Sequence, residues 1–113
     1  MSIFSKANVV AIASAMYGVI GQTVKERQAY ADIEASRLTH GLDLIHAMSG
    51  AGTISEETAA AQVDALLESG RLFFKTNKEI SGLKAKLAVA KGLEVAAGIF
   101  NAAIGFPLIP VNG

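Results

Sequence analysis

The stretch MSGAGTISEE, Met48 to Glu57, carries the densest punctuation in the interior of the chain. Gly50, Ala51 and Gly52 interrupt an apolar helical periodicity. Thr53 stands three residues before Glu56, the spacing of a capping box, in which a hydroxyl and a carboxylate satisfy backbone donors that a helix start leaves free. This reading predicts a helix ending near 49, a turn over 50–52 and a second helix opening at 53.

Outward from that turn the pattern holds in both directions. Towards the N-terminus, Val9, Ile12, Met16, Ile20 and Val24, then Tyr30, Ile33, Leu38, Leu42, Ile45 and Met48 recur at helical spacing with no Pro among them. Gly18, Gly21 and Gly41 each cost about 1 kcal/mol relative to Ala inside a helix, and the expectation is one helix over about 5–49. Towards the C-terminus, Leu66, Gly70, Phe73, Asn77, Ile80, Leu87 and Ala90 keep one stripe that extends to Ile104, which predicts a helix over about 53–104. Gly105 suits a left-handed helix end and Pro107 cannot continue the ladder, leaving a tail over 105–113. A break near Thr76, which again stands three residues before a Glu (Glu79), or at Ser81 and Gly82, would make a third helix.

The expected fold is therefore all-α: a single domain over 1–113 forming a long antiparallel helical hairpin. Its continuous helices would span roughly 65 to 80 Å at about 1.5 Å per residue. Such a rod buries one stripe per helix. Leu67, Phe74 and Leu83, beside the stripe, then need a second partner, and a homo-oligomer is the simplest.

Composition excludes several function classes. Ten Lys and Arg balance ten Asp and Glu, so no overall basic field exists to hold a nucleic acid backbone. The absence of Cys removes thiol catalysis, thiolate metal sites and disulfides. His40, Asp43 and His46 step by three along one helix and fan over an arc, at best part of a metal site, and a solvated cluster is the preferred reading. Glu56 and Glu57 suit the positive end of a helix dipole better than acid/base chemistry. No phosphate loop, nucleophile elbow or zinc-protease motif occurs, and the sequence predicts no enzyme, no cofactor and no metal.

Charge is unevenly placed. Apart from Lys6, every charged residue lies between Lys25 and Glu94, leaving both ends apolar. Ala7 to Val24 barely matches a bilayer core of ~30 Å, and Val95 to Gly113 is interrupted by Pro107 and Pro110, so neither reads as a confident span. Lys6 and the NVVAIASA that follows Ala7 imitate a secretory signal, against which a retained apolar helix is preferred because cleavage after Ala15 would leave MYGVIG at the new start. In the middle, acids dominate from Glu26 to Glu68 and bases from Arg71 to Lys91, which permits attraction between staggered copies. Small residues recur every fourth position, in Ala7, Ala11 and Ala15, in Ser14 and Gly18, and in Ala88, Gly92 and Ala96. Such ridges let helices approach closely. Ala11, Ala15, Gly18, Ala88, Gly92 and Ala96 are the expected packing positions. Val10, Ile12, Met16, Ile20, Ile99, Phe100, Ile104 and Phe106 are expected to face lipid or neighbouring subunits.

The apolar start ANVVAIASAMYGVIGQ, the charged middle KERQAYADIEASRL and the apolar end AAGIFNAAIGFPLIPV together resemble, in type, the small internal virion proteins, or ejection proteins, of short-tailed bacteriophages. The resemblance implies storage in the virion, passage through the tail, and a part in a conduit across the host cell envelope. It implies partners among copies of itself, other virion proteins and the lipid membrane, with nucleic acid met only as channel lining. The competing expectation is a helical structural subunit, of a virion or another assembly, that never meets lipid. An integral holin-like or pilin-like subunit is disfavoured by the short apolar runs.

Overall fold

The computed structural model describes residues 2–21, 24, 26–106 and 108–109. Among them the chain is entirely helical, in four helices: α1 (Lys6–Ile20), α2 (Arg27–Gly50), α3 (Glu56–Lys75) and α4 (Gly82–Ile104). The all-α class holds. The two-helix hairpin, and its three-helix variant, do not: each expected long helix is broken once, and the molecule measures 44 × 27 × 25 Å in place of a longer rod.

Each break has a local cause. At Gly21 the backbone adopts φ 109°, a conformation that a side chain would strain, and α1 stops there. Glu26, at φ 59°, then starts α2 from the left-handed region with no side-chain cap. The central turn is wider than expected, because the cap of α3 is Ser55 rather than Thr53. Ser55 Oγ accepts from Thr58 N at 3.1 Å, while the Thr53 hydroxyl donates back to Met48 O at 2.9 Å and closes α2. Both expected positions for a second break fall in one connection. Thr76 ends α3, its hydroxyl donating to Phe73 O, and Ser81 caps α4, accepting from Lys84 N at 3.2 Å. Gly105 ends α4 in the left-handed region, as its position predicts.

The helices alternate in direction. Tyr17 meets Arg27 between α1 and α2, Gly41 meets Leu66 between α2 and α3, Gly70 meets Val89 between α3 and α4, and Met16 meets Gly92 between α1 and α4. α1 and α3 lie on opposite corners, and α2 approaches α4 across the middle, giving an up-down-up-down bundle. Its interior holds Ile12, Met16, Ile20, Leu38, Leu42, Phe74, Val89 and Phe100, all fully buried. Each contributes about 1.5–3 kcal/mol relative to exposure.

Ile3 and Ile109 are both held at the pole that carries the α2–α3 turn. Ile3 N donates to Asp43 Oδ1 at 2.9 Å, and Phe4 is buried behind it. Asn101 clasps Ile109 twice, Nδ2 donating to Ile109 O at 2.8 Å and Oδ1 accepting from Ile109 N at 2.9 Å. The tail expected over 105–113 is thus folded back at Ile109, which is buried; Pro107 and 110–113 lie outside the described residues.

Candidate functional site

The residues expected to face lipid or other subunits divide sharply. Ile12, Met16, Ile20 and Phe100 are fully buried inside the chain's own core, and in this conformation they present nothing to a bilayer or a neighbour. Ile99, Ile104 and Phe106 are half-buried, and Val10 is exposed. The small-residue ridges divide too. Ala88, Gly92 and Ala96 line the inner face of α4, where the Met16 side chain sits so close to Gly92 that an added Cβ would overlap Met16 Cε and stand 2.9 Å from Cγ. Ala11 and Gly18 lie on the outer face of α1, Gly18 against open space, and Ala15 is half-buried. The ridge of α4 therefore packs helices within one chain.

His40, Asp43 and His46 are not gathered with a further ligand. No group of three or more potential ligands occurs among the described residues, and the Asp43 carboxylate is engaged with the backbone of Ile3. Glu56 and Glu57 occupy the first turn of α3 as dipole partners.

The polar feature that sequence reading missed is Glu34. It projects from α2 into the bundle beneath Gly70, is 2% exposed, and an added Cβ on Gly70 would stand 2.5 Å from its Oε2. The cation beside it is Arg37, whose half-exposed guanidinium is 3.5 Å from Oε1; Oε1 makes no hydrogen bond. Burial, only partly offset by Arg37, pushes the carboxyl up from 4.5 to about 7. The Arg37 guanidinium also donates to Ser69 Oγ at 2.7 Å and lies 5.2 Å from the Phe73 ring, against which Tyr30 packs at 5.1 Å. A signal for Glu34 existed: Ala31, Ala35, Leu38, Leu42 and Ile45 are the true stripe of α2, and Glu34 lies on it. The expected stripe used Ile33, which is half exposed, because small Ala residues were passed over.

Among the surface grooves of the described residues, two run along α3. One, between α3 and α4, is lined by Asp64, Leu67, Glu68, Arg71, Lys86, Val89 and Ala90, with Arg71 paired to Glu68 at 2.6 Å. That pairing holds the Glu68 carboxyl below its ordinary range. The other, between α2 and α3, is lined by Gly41, Leu44, Ile45, Met48, Gln62, Ala65 and Leu66 and carries no charge. Neither brings a nucleophile together with a base. Among the described helices, α4 is long and apolar enough to cross a membrane, and α1 is a shorter apolar helix lying along it. Set beside known protein families, curated proteins and solved structures, the chain matches none.

Proposed function

We propose that the protein is a non-enzymatic virion component that assembles with copies of itself and contacts a membrane during genome delivery. The observation that carries this reading is the pairing of α4 with α1. The most apolar helices of the chain already lie against one another, backed by the more polar α2 and α3. A bundle built this way hides its membrane-compatible material until α1 and α4 swing away from α2 and α3, exposing Ile12, Met16, Ile20 and Phe100.

Complete burial of those four side chains equally favours a second reading, a helical structural subunit whose apolar residues meet only protein. Dye-loaded liposomes and sedimentation separate the two. Leakage together with lipid-bound oligomers supports the delivery protein; soluble oligomers with no leakage at any pH or salt support the structural subunit. A monomer that leaves liposomes intact contradicts both.

A further inference from the structure

The break between α3 and α4 resets the helical phase, and its consequence is an apolar pair on the outside. A continuous helix would place Leu87 on the inward stripe with Ile80. With α4 capped afresh at Ser81, the inward positions become Ala85, Ala88, Val89, Gly92 and Leu93, and Leu83 and Leu87 turn out to solvent, 68% and 49% exposed. They stand one turn apart on the outer ridge of the bundle.

Cations surround them. Lys84 and Lys86 flank the pair along α4, Lys86 on the side of α3 and Lys84 on the side of α1, where its Nζ lies beside Gly21. Lys75 reaches Gly82 from the end of α3, and Lys78 is exposed in the connection. Among the described residues none of these four lysines makes an ion pair, whereas Arg71 is matched by Glu68 and Lys91 by Glu94. Asp64 lines the groove with Lys86, and Glu79 lies next to Lys78 in the connection, two acids against the four lysines.

We propose that this corner, Leu83 and Leu87 ringed by Lys75, Lys78, Lys84 and Lys86, docks on an anionic bilayer surface. The inference rests on the membrane-contacting reading and assigns where that contact begins. A lipid interface deforms around two exposed leucines one turn apart. Lysine stems lie against such leucines while their ammonium groups reach headgroup phosphates. A nucleic acid backbone would use the lysines and leave the leucines in water. Docking here needs no opening of the bundle, because every group involved is already exposed.

The experiment uses the full chain with vesicles of phosphatidylcholine alone or containing phosphatidylglycerol, read by co-sedimentation at low and raised salt, with dye leakage measured in parallel. Binding to anionic vesicles should exceed binding to neutral ones by at least about tenfold and weaken with salt. The double variant Leu83→Ser with Leu87→Ser should lose roughly tenfold or more, and Lys84→Gln with Lys86→Gln roughly fivefold per charge. Both should keep wild-type circular dichroism and melting. Ile33→Ser, on the outer face of α2, should bind as wild type. Equal binding to both vesicle types, or leucine variants that bind anionic vesicles undiminished, overturns the proposal. So does capture of a DNA duplex with vesicles left free. If the leucine and lysine variants bind and leak vesicles as the wild type does, this surface is wrong while the membrane reading stands. If the wild type neither binds nor leaks, both fall.

Discussion

The α1–α4 and α2–α3 interfaces solve the same packing problem with different chemistry. α1 and α4 meet through shape: Met16 fills the space that Gly92 leaves, and Ile12, Ile20, Ala88, Ala96 and Phe100 are buried alongside. α2 and α3 meet through a buried carboxyl group, a guanidinium, a hydroxyl and two mutually tilted rings, in Glu34, Arg37, Ser69, Tyr30 and Phe73. The first interface is indifferent to pH and intolerant of added or lost volume. The second tolerates exposure at its rim and responds to one proton.

The largest effect that separates them is expected from Phe100→Ala. It removes a fully buried ring and should cost about 3–5 kcal/mol in urea unfolding, by the same amount at pH 5 and pH 8. A cost that varies with pH would couple the apolar interface to Glu34 and dissolve the distinction.

Glu34→Gln comes next and has the opposite sign. Because the folded-state value, about 7, lies above the ordinary 4.5, Glu34 supports the fold fully below about pH 4.5. That support is lost as pH rises from 4.5 to about 7, as the buried carboxyl must then ionise. The difference corresponds to about 3 kcal/mol. The variant should therefore match wild type near pH 4.5 and exceed it by about that amount at pH 8, measured as urea midpoints across the range. A wild-type midpoint that rises from pH 5 to pH 8 would show that Glu34 is not buried as described.

Gly92→Ala should cost about 1–3 kcal/mol by overpacking, since Met16 is enclosed and its Cγ as well as its terminus must move. Sedimentation of the same variant tells whether Gly92 also serves contacts between copies: a loss of oligomer without a loss of melting temperature would move it out of the intrachain interface. The smallest effect belongs to Gly18→Ala and Gly98→Ala. Both positions are helical and face open space, so each should stabilise by about 0.5–1 kcal/mol in thermal melts.

Periodicity made the helical class legible because apolar spacing survives any error in where helices end. Helix number was less legible. Gly21 was weighed as a modest cost to a continuing helix, whereas its positive φ makes it the end of one, and nothing in residue spacing distinguishes these uses. Thr53 presents a capping motif two residues ahead of the true cap, Ser55, which stands three residues before a hydroxyl, Thr58, to which it bonds. At the candidate sites, the ridge of Ala88, Gly92 and Ala96 is readable as a packing surface, and the antiparallel order already lays the N-terminal apolar run beside it, where Met16 of α1 meets Gly92. Leu83 already reads as lying off the stripe, whereas Leu87 falls on it as long as α3 and α4 share one phase. Glu34 was hidden by composition: an Ala-rich stripe gives weak contrast, so a charged residue on it does not stand out.

The fastening of Ile3 and Ile109 at one pole has a mechanical consequence. α1 and α4 are antiparallel neighbours, so tension applied through Ile3 and Ile109 pulls them apart from one end, with the load falling on one layer of side chains at a time. That is a zipper rather than a shear joint. Once the Asn101 clasp yields, the pair should peel open at low force, and the same alternating order of helices lets neighbouring segments find one another again when tension is released.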